Sequence, residues 1–94
     1  MTTPIGEESV PGLAPTFRFQ WEEVQNCHVI LYPEGMVKLS ASAGEIMKRC
    51  DGRRSVRQII ADLEAQFPGV DLSRDVLKFL QEASSHGWIS VRPD

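Results

Sequence analysis

The spacing of apolar residues changes once along the chain, and this change restricts the fold more than any other feature. Between residues 17 and 40 apolar and polar residues tend to alternate, as where Phe17, Phe19 and Trp21 are separated by single polar residues. Such alternation is typical of strands that bury one face. Further along, apolar residues recur every three or four positions, which is the spacing of helices. The pattern therefore predicts an α+β domain whose strands precede its helices.

Three strands are predicted, and they follow one another closely enough to form an antiparallel meander. The first lies in TFRFQWEE (16–23), and the second lies in NCHVILYP (26–33). The second is apolar on both faces, which favours the central position. The sequence PEG (33–35) then predicts a tight turn, because Pro presets φ and Gly accepts positive φ. The third strand is MVKLS (36–40).

Three helices are predicted after the strands, each beginning at a side chain that can accept a hydrogen bond from the first turn. The candidate caps are Ser42 (with Glu45) or Ser40 for the first helix, Ser55 (with Gln58) for the second, and Asp71 or Ser73 for the third. The resulting order is three strands and then three helices with short connections. This arrangement is similar to a winged helix-turn-helix in which the strands have moved to the front.

The two ends of the chain differ from its middle. Residues 1–15 contain three prolines, two glycines and few large apolar side chains, which is typical of a flexible tail or linker. Residues 16–94 are expected to form one domain, because a chain of 94 residues buries a single modest core. Residues 88–91 are expected to be a short extended segment against that core.

No pattern for catalysis or metal binding is present in the sequence. His28 and His86 are far apart, Cys27 and Cys50 do not form a CxxC pair, and phosphate-binding glycine loops and HExxH are absent. We therefore predict a protein that is not an enzyme and needs no metal or cofactor. The longest apolar run has four residues, and the N-terminus lacks the features of a secretory signal, so the predicted location is cytoplasmic.

A winged-helix DNA-binding regulator is the alternative function. The third predicted helix would be the recognition helix, and its cations Arg74 and Lys78 are interleaved with Asp75 and Glu82. Recognition helices usually carry several Arg, Lys, Asn or Gln side chains directed at the DNA. The net charge of -3 also argues against nucleic acid. Binding of protein or peptide is therefore favoured.

The third predicted strand provides a possible binding site. It is the last strand in chain order, so if the spatial order is the same, its outer N–H and C=O groups are unpaired. Lys38 is the one charged residue that protects this edge. An extended peptide could add there as a fourth strand, and the third helix would supply specificity. An ordinary edge strand covered by the protein's own helix fits the pattern equally well.

A basic segment, KRCDGRRSVR (48–57), holds five cations against Asp51. It falls on the turn between the first two predicted helices. Such a turn is either simply solvated or a docking surface for an acidic partner.

Several segments, taken together and in order, resemble the pyrroloquinoline quinone (PQQ) biosynthesis protein D family, PqqD. They are LYPEGMVKL (31–39), SAGEI (42–46), DGRRSV (51–56) and a looser match from Leu80 to Ile89. The resemblance covers residues 11–91. It implies a non-catalytic peptide chaperone with the same order of strands and helices, the prototype recognition element for ribosomally synthesised and post-translationally modified peptides (RiPPs).

The resemblance also implies partners. Family members bind the precursor peptide PqqA and present it to the radical S-adenosylmethionine (SAM) enzyme PqqE, which cross-links a Glu and a Tyr of the peptide. Some relatives are fused to PqqC, so residues 1–15 would correspond to a linker in such a fusion.

Carried over to this chain, the resemblance places the peptide between the third strand and the third helix. The strand residues of the site are Met36, Val37, Lys38, Leu39 and Ser40. The helix residues, chosen by their spacing, are Arg74, Leu77, Lys78 and Gln81. We expect the cations of both sets to attract an acidic peptide. Arg53, Arg54 and Arg57 are the expected surface for PqqE.

Overall fold

A computed structural model describes residues 5–92, which form two small sheets and three helices. Residues 1–4, the start of the predicted tail, and residues 93–94 lie outside the described part. The elements are β1 (Val10–Leu13), β2 (Arg18–Glu22), β3 (Cys27–Tyr32), β4 (Gly35–Lys38), α1 (Ala41–Lys48), α2 (Val56–Gln66), α3 (Ser73–Ser85) and β5 (Ile89–Arg92). The predicted α+β class is confirmed. Within residues 5–92, each helix is too short or too polar to cross a bilayer.

The three-stranded sheet has the order β2-β3-β4 with antiparallel pairing, so the predicted meander and the central place of β3 are confirmed. Phe19, Ile30 and Val37 lie opposite one another and contact the core, where Ile30 is fully buried. Trp21 is 51% exposed, although the sequence pattern predicts that it is buried. It lies near the end of β2, where the ring of His28 covers only one edge of the indole.

Residues 5–15 belong to the folded domain and are not the tail that the sequence predicts. Ile5 is a member of the core cluster, and Pro11 is fully buried. β1 pairs antiparallel with β5, which is the extended segment predicted after the third helix. The N–H of Val56 also donates to the carbonyl of Ser9 over 2.9 Å. The N-terminal segment therefore contacts both the C-terminal strand and the start of α2.

Predicted caps are confirmed at two helices of three. The capping box of Ser55 and Gln58 is present at α2. At α1 the cap is Ser40, whose Oγ accepts from the N–H of Ala43 over 3.2 Å, and Ser42 is already inside the helix. At α3 neither predicted side chain caps the helix, because Asp71 and Ser73 bond to each other and Leu72 occupies the cap position. The carboxylate of Glu64 in α2 accepts from the N–H of Leu72 over 2.9 Å instead.

Gly44 allows α1 to lie close to β3. A Cβ atom at this position would lie 2.7 Å from Nδ1 of His28. The His28 ring has little room to move, because it stacks on Phe19 at 4.9 Å and meets the edge of Trp21 at 5.0 Å between ring centroids. Glycine at position 44 therefore determines how near the helix comes to the sheet.

The burial of Ile5 leads to the first prediction. Ile5→Ala removes side-chain atoms from the core and should lower the free energy of unfolding by about 2 kcal/mol in urea denaturation. The control is Val24→Ala, since Val24 is 88% exposed, and the control should change stability by less than about 0.5 kcal/mol. Equal stability of the two variants would mean that residues 5–15 are a tail after all.

The contact at Gly44 leads to the second prediction. Gly44→Ala gains about 1 kcal/mol of helix propensity, yet it should destabilise the protein because the new methyl group overlaps the His28 ring. In a His28→Ala background the same substitution should become neutral or stabilising. Urea denaturation of the four proteins in this double-mutant cycle measures the difference. The same destabilisation in both backgrounds would show that the overlap is not the cause.

Candidate functional site

β4 has a free edge. It pairs with β3 on one side, and within residues 5–92 no strand pairs with its other side. The N–H of Leu39 donates to the carbonyl of His28 over 3.0 Å, which sets the phase of the ladder between β3 and β4. Because bonding positions alternate along an antiparallel strand, Val37 faces β3 while the N–H and C=O groups of Met36 and Lys38 point away from the sheet. These two residues provide the donors and acceptors for an added strand.

The side chains of β4 and the next two residues divide between the core and the surface. Val37 is partly buried against the core, and Leu39 is 7% exposed. Met36 and Lys38 are exposed, and Ser40 caps α1. Of the five residues predicted on the strand, Val37 and Leu39 therefore serve folding, and the other three can contact a ligand.

An apolar cleft begins where β4 ends. It has a volume of about 650 Å³ and lies between the N-terminal half of α1, the C-terminal end of α2 and the N-terminal half of α3. Ser40 and Ile46 line it on one side, and Phe79 lines it on another. Phe67 and Val70 also line it and are 45% and 50% exposed. Apolar side chains left open to water in this way are typical of a binding groove.

The face of α3 that lines the cleft differs from the predicted face. Leu72, Asp75, Val76 and Phe79 line it, at spacings of three and four residues that put them on one side of the helix. The four helix residues that the sequence predicts do not line this cleft, and their part in peptide binding stays a prediction. Arg74, Lys78 and Gln81 are exposed elsewhere, and Leu77 is partly buried against the core. The orientation follows from the packing of Val76, Leu80 and Ala83, which are buried and turn the helix so that Phe79 faces α1.

The charges near the cleft are largely balanced within α1. Arg49 and Lys48 form ion pairs with Glu45 at 3.0 and 3.3 Å. The hydrogen bond from Arg49, with a smaller contribution from Lys48, lowers the pKa of Glu45 although burial opposes it. The carboxylate of Glu45 is therefore ionised and already paired. Asp75 is the carboxylate that α3 contributes to the lining of the cleft.

The polar side chains that line the cleft are few. They are the hydroxyls of Ser40 and Ser42 and the carboxylates of Glu45 and Asp75, and the lining contains no His, Lys or Cys. Burial raises the pKa of the nearby Cys50 thiol to about 12, which keeps that thiol protonated at neutral pH. Within residues 5–92 no three His, Cys, Asp or Glu side chains meet to hold a metal ion. The open edge and the apolar cleft can instead bind an extended chain and bury its side chains.

The basic turn at residues 48–57 is paired with the protein's own acids. Arg57 forms ion pairs with Glu7 at 3.3 Å and Glu8 at 2.7 Å, and Arg54 lies 3.8 Å from Asp51. Hydrogen bonds from the backbone of the following residues lower the pKa of Asp51, which keeps it ionised. The side chain of Arg53 is exposed and forms no ion pair within residues 5–92. Arg54 and Arg57 are thus paired with carboxylates of the chain while remaining partly exposed, and Arg53 keeps an unpaired charge among the described residues.

Sequence reasoning missed the apolar lining of the cleft, including Phe67, Val70 and Phe79. Phe67 and Phe79 follow the helical spacing of their neighbours, so the pattern assigns them to the core. One signal was available for Phe67 and Val70, because both flank the sequence PG (68–69), where a helix ends and exposure is common.

A family model and curated relatives match this chain over most of its length. The family model for coenzyme PQQ synthesis protein D (PqqD) matches residues 27–89, from β3 to the start of β5. A PqqA binding protein of Pseudomonas aeruginosa (strain UCBPP-PA14) is 54% identical over 86 residues, which are 90% of this chain and 94% of that protein. A PqqA binding protein of Azotobacter vinelandii (strain DJ / ATCC BAA-1303) is 52% identical over 83 residues, 87% of this chain and 90% of that protein.

A solved structure shares the fold. It is the solution NMR structure of the PqqD truncation of Methylobacterium extorquens PqqCD, which represents a functional and stand-alone RiPP recognition element. The TM-score is 0.77 at 28% identity, over 92% of this chain and 94% of that chain. The family model covers most of the strands and helices, and the relatives share about half of their residues with this chain. The chain therefore belongs to the PqqD family.

Proposed function

We propose that this protein is a non-catalytic chaperone that binds the precursor peptide PqqA at the β4 edge and presents it to the radical SAM enzyme PqqE. The observation that carries this proposal is the open edge of β4 directly beside an apolar cleft. The names of the relatives, which are PqqA binding proteins, support the choice of peptide. Since precursor peptides are made by ribosomes, the protein would act in the cytoplasm.

The geometry of the edge describes how the peptide would lie. The outward N–H and C=O groups of Met36 and Lys38 would bond to alternate residues of the peptide, as in an antiparallel or parallel ladder. β4 ends at Lys38, and the chain enters α1 at Ala41. The ladder is therefore short, and the peptide continues past Ser40 along the cleft.

Apolar side chains of the peptide would supply the remaining affinity. Side chains that enter the cleft would cover the exposed surfaces of Phe67 and Val70. Fully burying one large apolar side chain is worth about 1.5–3 kcal/mol. Ordering a flexible peptide opposes this gain and keeps the complex reversible. Such reversible binding suits a chaperone that releases its peptide after modification.

Charge would contribute less than burial. Lys38 is exposed at the edge, where an acidic residue of the peptide would gain about 0.5 kcal/mol. Arg74 and Lys78, which were expected to act in the same way, lie outside the cleft and would act only at longer range. Backbone pairing leaves alternate side chains of the peptide facing outward, so the residues that PqqE modifies would remain accessible.

An association with PqqC forms part of this proposal. The solved structure similar to this chain comes from PqqCD, a protein that carries PqqD as one part. The N-terminal segment that precedes β2 would be the connection in such an arrangement, now folded against the domain through β1.

An NMR titration of the ¹⁵N-labelled protein with PqqA peptide tests the proposed function. Amide shifts are expected at Met36 and Lys38 and along the segments 40–46 and 67–79, which border the cleft. Shifts confined to residues 48–57 would show peptide binding at a different site. An absence of shifts at saturating peptide would refute the chaperone function for this chain.

The exposed ring of Phe67 leads to a prediction about affinity. Phe67→Ser should raise the Kd for PqqA roughly tenfold, because the peptide loses an apolar contact worth about 1–2 kcal/mol. Isothermal titration calorimetry measures the Kd. The control is Val24→Ser, another exposed apolar residue that lies away from the cleft, and it should leave the Kd unchanged. Equal effects of the two substitutions would exclude the cleft as the binding site.

A further inference from the structure

The large apolar side chains that are exposed within residues 5–92 fall into two groups. Phe67 and Val70 border the cleft, and Met36 lies on β4, so these three belong to the candidate peptide site. Trp21 and Val24 are 51% and 88% exposed and lie together in the hairpin between β2 and β3. We call Trp21, Glu22, Glu23 and Val24 the hairpin patch. The peptide site gives no reason for this second group to face water.

The hairpin patch lies at the other open edge of the sheet. β2 is the outer strand opposite β4. β3 directs alternate residues to its two neighbours, and Ile30 faces β4, so Val29 and Leu31 bond to β2. The partners of those two residues face inward, which leaves the N–H and C=O groups of Phe19 and Trp21 pointing away from the sheet. An exposed Trp beside free backbone groups is typical of protein interfaces.

The indole of Trp21 contacts a neighbouring ring. Its centroid lies 5.0 Å from that of the His28 ring in a T-shaped arrangement, and the His28 ring stacks on Phe19 at 4.9 Å between centroids. The His28 ring lies in turn against Gly44 of α1. About half of Trp21 remains exposed, so it offers apolar surface that a partner could bury.

The free charge of the hairpin patch is negative. Glu22 accepts from the N–H of Val24 over 3.2 Å, and neither Glu22 nor Glu23 forms an ion pair with a cation of residues 5–92. Arg18 is at the far end of β2, roughly 13 Å away along the strand. The basic turn, in contrast, has Arg54 and Arg57 paired with the protein's own carboxylates.

We infer that the hairpin patch is a docking surface for a second protein whose contact surface is basic and apolar. The identity of this partner rests on the proposed function, which makes it the radical SAM enzyme. The enzyme would then dock at the hairpin rather than at Arg53, Arg54 and Arg57. A second copy of this chain, paired through β2, is a different occupant, and measurement of self-association distinguishes it from the enzyme. β2 and β4 are about 10 Å apart across the sheet, so enzyme and peptide can be bound at the same time.

The experiment compares two binding reactions of the same variants. Glu23→Lys combined with Val24→Ser reverses one charge and removes apolar surface in the hairpin turn without changing a buried residue. The Kd for intact PqqE with its iron–sulfur clusters, measured by microscale thermophoresis, should rise at least tenfold. The Kd for PqqA should stay within twofold of the wild type. Trp21→Ala should weaken enzyme binding as well, and its circular dichroism spectrum checks that the sheet is retained.

The matched control is Arg53→Ser, which removes an exposed charge from the basic turn and should leave both affinities unchanged. Weaker enzyme binding by this control, with no effect of the hairpin variant, would overturn the inference in favour of the basic turn. Self-association that the hairpin variant abolishes, seen by analytical ultracentrifugation, would overturn it in favour of a second copy. If the wild type binds PqqA and PqqE and the hairpin variant binds both equally well, the inference fails while the proposed function stands. If the wild type binds neither, both fail.

Discussion

The close contact between α1 and β3 at Gly44 is the constraint on which both proposed surfaces depend. The helix lies directly against His28, and two residues separate the end of β4 from the start of α1. Leu39 is buried at this junction and continues the ladder to His28, while Ser40 caps the helix. The lining of the cleft therefore begins two residues after the free edge ends. The same His28 ring also contacts Trp21.

The N-terminal segment determines which charges a partner can reach. The N–H of Val56 donates to the carbonyl of Ser9, and the N–H of Arg57 donates to the carbonyl of Glu7. Glu8 adds an ion pair to the same arginine. These contacts satisfy donors that every helix N-terminus leaves free. They also hold Glu7 and Glu8 beside Arg57 of the basic turn. The sequence predicts a positive surface at the basic turn, but most of its cations are paired with carboxylates. The glutamates of the hairpin, in contrast, form no ion pair with a cation of residues 5–92.

The strand part of the candidate site could be located from the sequence, whereas the helix face that lines the cleft could not. The turn at PEG and the short strand after it identify β4 by local rules, and the order of strands makes it an edge. The orientation of α3 is a different kind of property. Leu77 and Phe79 are both apolar and lie on opposite flanks of the buried stripe, so hydrophobicity alone does not distinguish the flank that meets α1. The packing of Leu80 and Ala83 against other elements decides this.

The sequence by itself determined the class of the fold, the three-stranded meander and the three helices after it, the capping box at α2 and membership of the PqqD family, because these depend on residues close together in the chain. Tertiary structure alone decided that residues 5–15 are part of the domain. β1 contains Pro11 and Gly12, which disfavour strands locally, and its partner β5 lies at the opposite end of the chain. Tertiary structure also decided that Phe67 and Val70 border a cleft and that Arg54 and Arg57 form ion pairs with carboxylates. Each of these outcomes depends on contacts between residues far apart in the chain, and the local spacing of residues does not specify such contacts.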